Sequence, residues 1–258
     1  AKCSIGKPSE YYNEELLYQM FGINAELLID HAWGYESCTI AQIRAYKPQS
    51  SSLGCGQVLH CPYTADKARI VVQEMIDGIS LELVEKRLVT DQLVLTVGYD
   101  IENLTRSEIR KVYKGPVTTD RYGRRVPKHA HGTWNLPRAT SSSSELLEAM
   151  AALYDKIVNP ALLIRRMSLS ACHVVNEKMA KEREQKETFE QLDLFTDYAK
   201  KEAKEKEEQK KRERERRMQE ALLTIKKKYG KNAVLRGMNF EEGATAKERN
   251  GQIGGHQA

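Results

Sequence analysis

After Asn176 the chain nearly stops using apolar residues, and Lys, Glu, Arg and Gln dominate from there. A packed core needs a steady supply of apolar side chains, so the core must be drawn from the residues before that point. With 40% apolar content over 258 residues, the supply there is ample. Two apolar islands interrupt the charged segment: Gln191-Leu192-Asp193-Leu194-Phe195 and Met218 to Ile225. Residues 200–217 read as a solvated helix laced with charge pairs, or as a disordered stretch, with no core of their own. The end of the chain, 237–258, is rich in Gly, Asn and Thr, and its composition assigns it no role.

Before Asn176 the apolar period changes along the chain. Residues 10–46 read as short helices: Leu16, Leu17 and Met20 keep helical spacing, Gly22 interrupts it, and Ala25 to Trp33 resumes it until Gly34. Residues 47–52 form a polar stretch with Pro48, which reads as a linker. From Leu53 the reading is strand 53–61, amphipathic helix 64–86, strand 89–99, a turn-rich stretch 106–128, strand 129–136, helix 144–158 capped by Ser144, and strand 164–175. In the second strand Leu93, Leu95 and Val97 share one face. The order β-α-β-β-α-β predicts an α+β, ferredoxin-like sandwich over 53–176, with two helices on one face of the sheet and the other face open.

The search for catalytic chemistry gives little. Five cysteines (Cys3, Cys38, Cys55, Cys61, Cys172) at irregular spacing form no CxxC pair and suggest neither a disulfide framework nor a zinc site. Cys55 and Cys61 on an alternating strand would share a face, as would His129 and His131, without the further ligands that a metal needs. Asp91, Asp100, Glu102 and Glu108 are not spaced for a two-metal centre, and Gly-rich phosphate loops, GxSxG and HExxH are absent. Asp30-His31 reads as a capping or surface pair. No run is long enough for a membrane-spanning helix and no signal peptide opens the chain, so a cytoplasmic protein with no membrane partner is expected.

Charge is more informative locally than globally, since the net charge is only +5. Between Arg106 and Arg138 nine cations face two acids, Glu108 and Asp120, with Tyr113 and Tyr122 interleaved and Gly115, Pro116 and Gly123 marking turns. A loop or ribbon of this kind suits contacts to phosphate oxygens and sugars without base reading. The candidate DNA-binding residues are Lys47, Ser51, Ser52, Lys114, Arg121, Arg124, Arg125 and Lys128. Gln191, Leu192, Asp193, Leu194 and Phe195 form an apolar plug in a charged arm, suited to a greasy cleft on a partner, with the Gln191 amide setting register. The other reading of that plug is a helix face, Phe189, Leu192 and Phe195, packed on the chain's own core.

These features together resemble the C-terminal part of Y-family translesion DNA polymerases, the ImpB/MucB/SamB group related to DNA polymerases IV and V. Phe21 to Leu28 with His31-Ala32-Trp33-Gly34-Tyr35 resembles the end of the family's thumb domain (1–46). Ser52 to Leu59 is similar to the first strand of its little finger (53–176). Gln191–Phe195, within a charged tail spanning 177–258, looks like its peptide for the beta sliding clamp, and Arg236 to Thr245 with Asn250 to His256 resembles tails of Gram-positive members. The resemblance implies error-prone synthesis across damage in DNA repair, with primer-template DNA and the clamp as partners. It also implies that the magnesium-binding palm carboxylates lie N-terminal to this sequence, so no catalytic or metal residue and no cofactor is assigned to this chain, which reads as truncated. A non-enzymatic nucleic-acid-binding adaptor with a ferredoxin-like domain is the rival, but the second strand carries aliphatics where stacking rings would sit.

Overall fold

The structure, a computed structural model, describes residues 14–36, 38–46, 52–120, 123–187, 198–253 and 256–257. The chain divides into two compact units, 1–49 and 50–258. In the first, helices α1 (Glu14–Phe21), α2 (Ala25–Trp33) and α3 (Ile40–Ala45) follow one another, with a 3-10 turn at Gly22–Asn24. Gly34 ends α2 in the left-handed region at φ +80°, and the Gly34 and Tyr35 amides donate back to the His31 and Asp30 carbonyls. This is a Schellman ending, which only glycine reaches without strain. Thr39 and Gln42 cap α3 reciprocally. Ala25 alone is buried among the described residues of this unit, while Leu16, Met20, Phe21, Leu27, Leu28 and Trp33 stay exposed.

The second unit is mixed α+β around an antiparallel sheet. Its elements are β1 (Leu53–Tyr63), α4 (Ala65–Lys86), β2 (Leu88–Tyr99), the short helices α5 (Glu102–Thr105) and α6 (Ser107–Val112), a hairpin of β3 (Val117–Thr119) and β4 (Arg125–Pro127), β5 (Ala130–Thr140), α7 (Ser143–Ile157) and β6 (Ile164–Cys172). The four long strands lie in the order β1-β6-β2-β5, every neighbour antiparallel. β1 and β2, joined through α4, therefore run parallel with β6 between them. Two-residue β7 (Val175–Asn176) extends the ladder of β2.

Alternation decides the layers. Leu93, Leu95 and Val97 of β2 and Met167, Leu169 and Ala171 of β6 are buried on one face, against Val72, Met75, Ile76, Ile79 and Leu83 of α4 and Leu146, Met150 and Leu153 of α7. Each fully buried aliphatic side chain contributes about 1.5–3 kcal/mol relative to exposure. The Tyr154 hydroxyl donates to the Ala65 carbonyl at 2.7 Å, and Ser80 and Ser143 hydroxyls meet at 2.6 Å, tying α7 to α4. Gly132 of β5 is where the helix layer comes closest to the sheet. A Cβ there would lie 2.8 Å from Ile157 Cγ2 and 2.9 Å from Leu153 Cδ1.

Several boundaries differ from the sequence reading. The cap of α7 is Ser142, whose hydroxyl accepts from the Glu145 amide, rather than Ser144. Ser144 is drawn into the helix because its own amide and hydroxyl bond to Glu215. The turn-rich stretch holds α5, α6 and the β3–β4 hairpin. Asn103, buried at the start of this excursion, donates to the Asp100 and Leu163 carbonyls at 2.8 Å each and accepts from the Leu163 amide at 2.7 Å.

Residues 200–217 lie in a helix whose described side chains are mostly exposed, as the solvated-helix reading has it, but the charged segment beyond them is partly packed. After α8 (Glu177–Glu187), the helix α9 (Tyr198–Tyr229) lies against α4, and Gln219 is 2% exposed. A 3-10 turn (Gly237–Phe240) and α10 (Ala246–Arg249) follow, and residues 252–253 and 256–257 pair as two short strands, β8 and β9. The half-buried Leu222 and Leu223 belong to the apolar island at Met218 to Ile225, but much of the packing is made by polar groups, which apolar content cannot foretell. Gly132→Val should lower stability by roughly 1–3 kcal/mol through overpacking beneath α7; an unchanged urea midpoint would contradict the close approach of that helix.

Candidate nucleic-acid interface

Among the described residues of this unit, helices cover one face of the sheet, and the residues between the buried ones form the other. The register lays them out in rows: Gly54, Ser170, Val94 and Thr133; then Gly56, Ser168, Thr96 and His131; then Val58, Arg166 and Gly98. Gln92 and Asn135 extend the face at one end, joined by a hydrogen bond of 2.9 Å. Among these residues there is no carboxylate and no Phe, Tyr or Trp. The only full charge is Arg166, whose side chain lies across Gly98, where a Cβ would come within 2.6 Å of it. Thr96 Oγ1 and His131 Nδ1 are 2.8 Å apart. Small residues keep the face flat, and the lack of acids leaves it open to a polyanion. Tyr99 points inward with its hydroxyl accepting from the Asn159 amide, and Trp134 packs against the core, so neither serves as a stacking platform.

The β3–β4 hairpin rises between the end of β2 and the start of β5, at the same end of the sheet as Arg166. Its register pairs Val117 with Pro127 and Thr119 with Arg125. Lys114 and Lys128 therefore lie at its base, where the Lys128 amide donates to the Pro116 carbonyl, and Arg124 and Arg125 lie toward its tip. Lys111, Lys114, Arg125 and Lys128 are all exposed, and none of them forms an ion pair with another described residue.

Three cations of this stretch are neutralised. Arg124 binds Asp120 at 2.7 Å, Arg106 binds Glu102 at 2.6 Å, and Arg138 binds Glu145. Glu102 and Glu145 lie outside the window over which the surplus was counted, so the effective positive charge is smaller than the sequence suggests. Of the remaining candidates, Ser52 precedes β1 at the opposite end of the sheet and is not gathered with the hairpin. Lys47, Ser51, Arg121 and the whole of Gln191–Phe195 lie outside the described residues. Arg166 was missed by sequence reasoning because the strand is irregular beside Ile164, so alternation does not say which of the adjacent Arg165 and Arg166 takes the open face.

Other sequence candidates sit elsewhere. His31 Nε2 meets Glu36 at 2.7 Å on an exposed surface. Asp100 and Glu102 do not pair as metal ligands: the Asp100 carboxylate accepts the Glu102 amide at 2.8 Å. Cys55 and Cys61 do not share a buried face, since a bulge between Val58 and Tyr63 leaves Cys61 exposed. Burial pushes the Cys55 thiol up to about 11, against the opposing pull of Arg249. Among the described residues no helix is long and apolar enough to cross a membrane. No family model matches the chain, and no curated protein matches it either.

A thiol with a raised pKa is almost wholly protonated at pH 8 and a poor nucleophile. Cys38 and Cys61 should therefore take up iodoacetamide in the folded protein while Cys55 reacts only after denaturation, as peptide mass mapping would reveal; early labelling of Cys55 would contradict its burial.

Proposed function

We propose that this chain is the DNA-binding and clamp-tethering part of a Y-family translesion polymerase, acting in the cytoplasm in repair and damage bypass. The observation that carries the reading is the flat, acid-free sheet face with Arg166, bordered at one end by the cationic β3–β4 hairpin. On this reading the ferredoxin-like little finger sets its open face and hairpin against duplex primer-template. Lys114, Arg125, Lys128 and Arg166 take phosphates, and the hydroxyls of Ser168, Ser170, Thr96 and Thr133 supply short-range hydrogen bonds. Grip through phosphates is indifferent to base identity, which suits a damaged template. The exposed apolar residues of α1 and α2 support a place within a larger helical thumb domain.

The peptide Gln191–Phe195 completes the reading as a tether to the beta sliding clamp, raising the local concentration of the polymerase at the primer end. No described residue is assigned a catalytic role, and the magnesium ions expected for the intact polymerase would be held by its palm.

Affinity for duplex DNA should fall steeply with salt. The triple variant Arg125→Ala/Lys128→Ala/Arg166→Ala should bind more weakly and reduce the slope of log K against log salt by about one for each phosphate contact removed. A slope equal to that of the unmodified protein would remove the hairpin and sheet face from the interface. Separately, Leu194→Ala/Phe195→Ala should abolish retention on immobilised clamp while leaving DNA affinity nearly unchanged, and undiminished retention would discard the tether.

A further inference from the structure

Glu74 sits in the middle of α4 and is 3% exposed. Its carboxylate accepts four hydrogen bonds, all from one stretch near the chain's end: Asn239 Nδ2 at 2.7 Å, the Thr245 amide at 2.8 Å, Thr245 Oγ1 at 3.2 Å and the Ala246 amide at 2.9 Å. One turn along α4, Asp77 meets Arg236 at 2.7 Å. On β1 the Gln57 side chain accepts from Arg249 at 2.6 Å and donates to Thr245 at 2.9 Å. The segment is also tied to itself: Asn232 donates to the Lys247 carbonyl at 3.0 Å, and Asn250 donates to Asn232 at 2.8 Å. Residues 232–250 thus form a closed strap that can move as a body.

The strap is continuous with α9 through a turn at Gly230, whose φ of +96° favours glycine. α9 is seated by polar groups. Glu215 accepts from the Ser142 hydroxyl and from the Ser144 amide and hydroxyl, Gln219 donates to the Ser141 carbonyl and the Ser143 hydroxyl, and Lys227 meets Glu85 at 2.7 Å. Met218 and Tyr229 remain 54% and 67% exposed, and Leu222 and Leu223 are only half-buried. The domain therefore has two kinds of seam. The seam between sheet and helices α4 and α7 is apolar, whereas under α9 and the strap only Gln219, Thr245 and Ala246 of residues 206–250 are buried, and hydrogen bonds and ion pairs that water can replace at little net cost carry most of the specific contacts.

We propose that α9 and the strap form a clasp that opens and closes as one unit on an intact four-stranded domain, with Glu74 as its catch. When closed, Arg216 of α9 meets Glu177 of α8 at 3.3 Å. When open, that tie is broken and α9 parts from α8. The clasp does not rest on the function proposed above.

Hydrogen exchange followed by mass spectrometry on the full chain tests this without DNA or clamp, so its failure leaves the proposed function standing. Glu74→Ala should speed exchange at least about tenfold in both 215–227 and 236–246 while β2, β6 and α7 keep their protection. Loosening of the strap with α9 still protected would overturn the proposal, as would loss of protection throughout the domain or no change at all. Should Glu74→Ala fail to fold, Arg236→Ala/Asn239→Ala, which leaves α4 untouched, must give the same selective loss for the clasp to stand.

Discussion

The pairing of β2 with β6 is the constraint from which the remaining architecture follows. Leu93 opposite Ala171, Leu95 opposite Leu169 and Val97 opposite Met167 place six buried side chains on one side of two adjacent strands. A shift by one residue would turn all of them toward solvent. Once that face is apolar, α4 and α7 have one place to go, and the intervening positions must be tolerable in water. Ser168, Ser170, Thr96 and Arg166 meet that requirement, and the glycines of β1 and β2 keep the surface level. The binding face proposed for DNA is thus the complement of the core, generated by the same alternation.

The C-terminal third follows a different physics. Here association is carried by Glu74, Glu215, Arg216 and Gln219, each satisfied by partners far away in sequence. Glu74 and Asp77, one turn apart on α4, are met by different partners. The Glu74 carboxylate is surrounded by four hydrogen bonds, whereas burial pushes the Asp77 carboxyl above its ordinary range despite Arg236 beside it. One oxygen of Asp77 touches the guanidinium without a well-aligned hydrogen bond, so desolvation outweighs the ion pair.

Much of the fold was legible in period and punctuation. The strand from Leu88 to Tyr99 was announced by Leu93, Leu95 and Val97, and the helix ending at Lys86 by its spaced aliphatics. The serine run 141–144 was harder, because any of several hydroxyls can cap a helix and Glu215, seventy residues away, helps settle which one does. The β3–β4 hairpin was legible as a ribbon but not as a charge distribution. The acids that neutralise Arg106 and Arg138 come from the preceding helical turn and from the first turn of α7, outside the basic window.

The sequence by itself determined where a core can exist, which strand residues turn inward and which stretch is rich in cations, because alternation and composition are local properties of the chain. Only the tertiary structure decided that Arg166 joins the open face, that Arg124 is held by Asp120, and that a mostly charged segment is seated on α4. Those outcomes depend on partners brought together through folding, and the strength of a polar contact is set by what surrounds it rather than by the residues that make it.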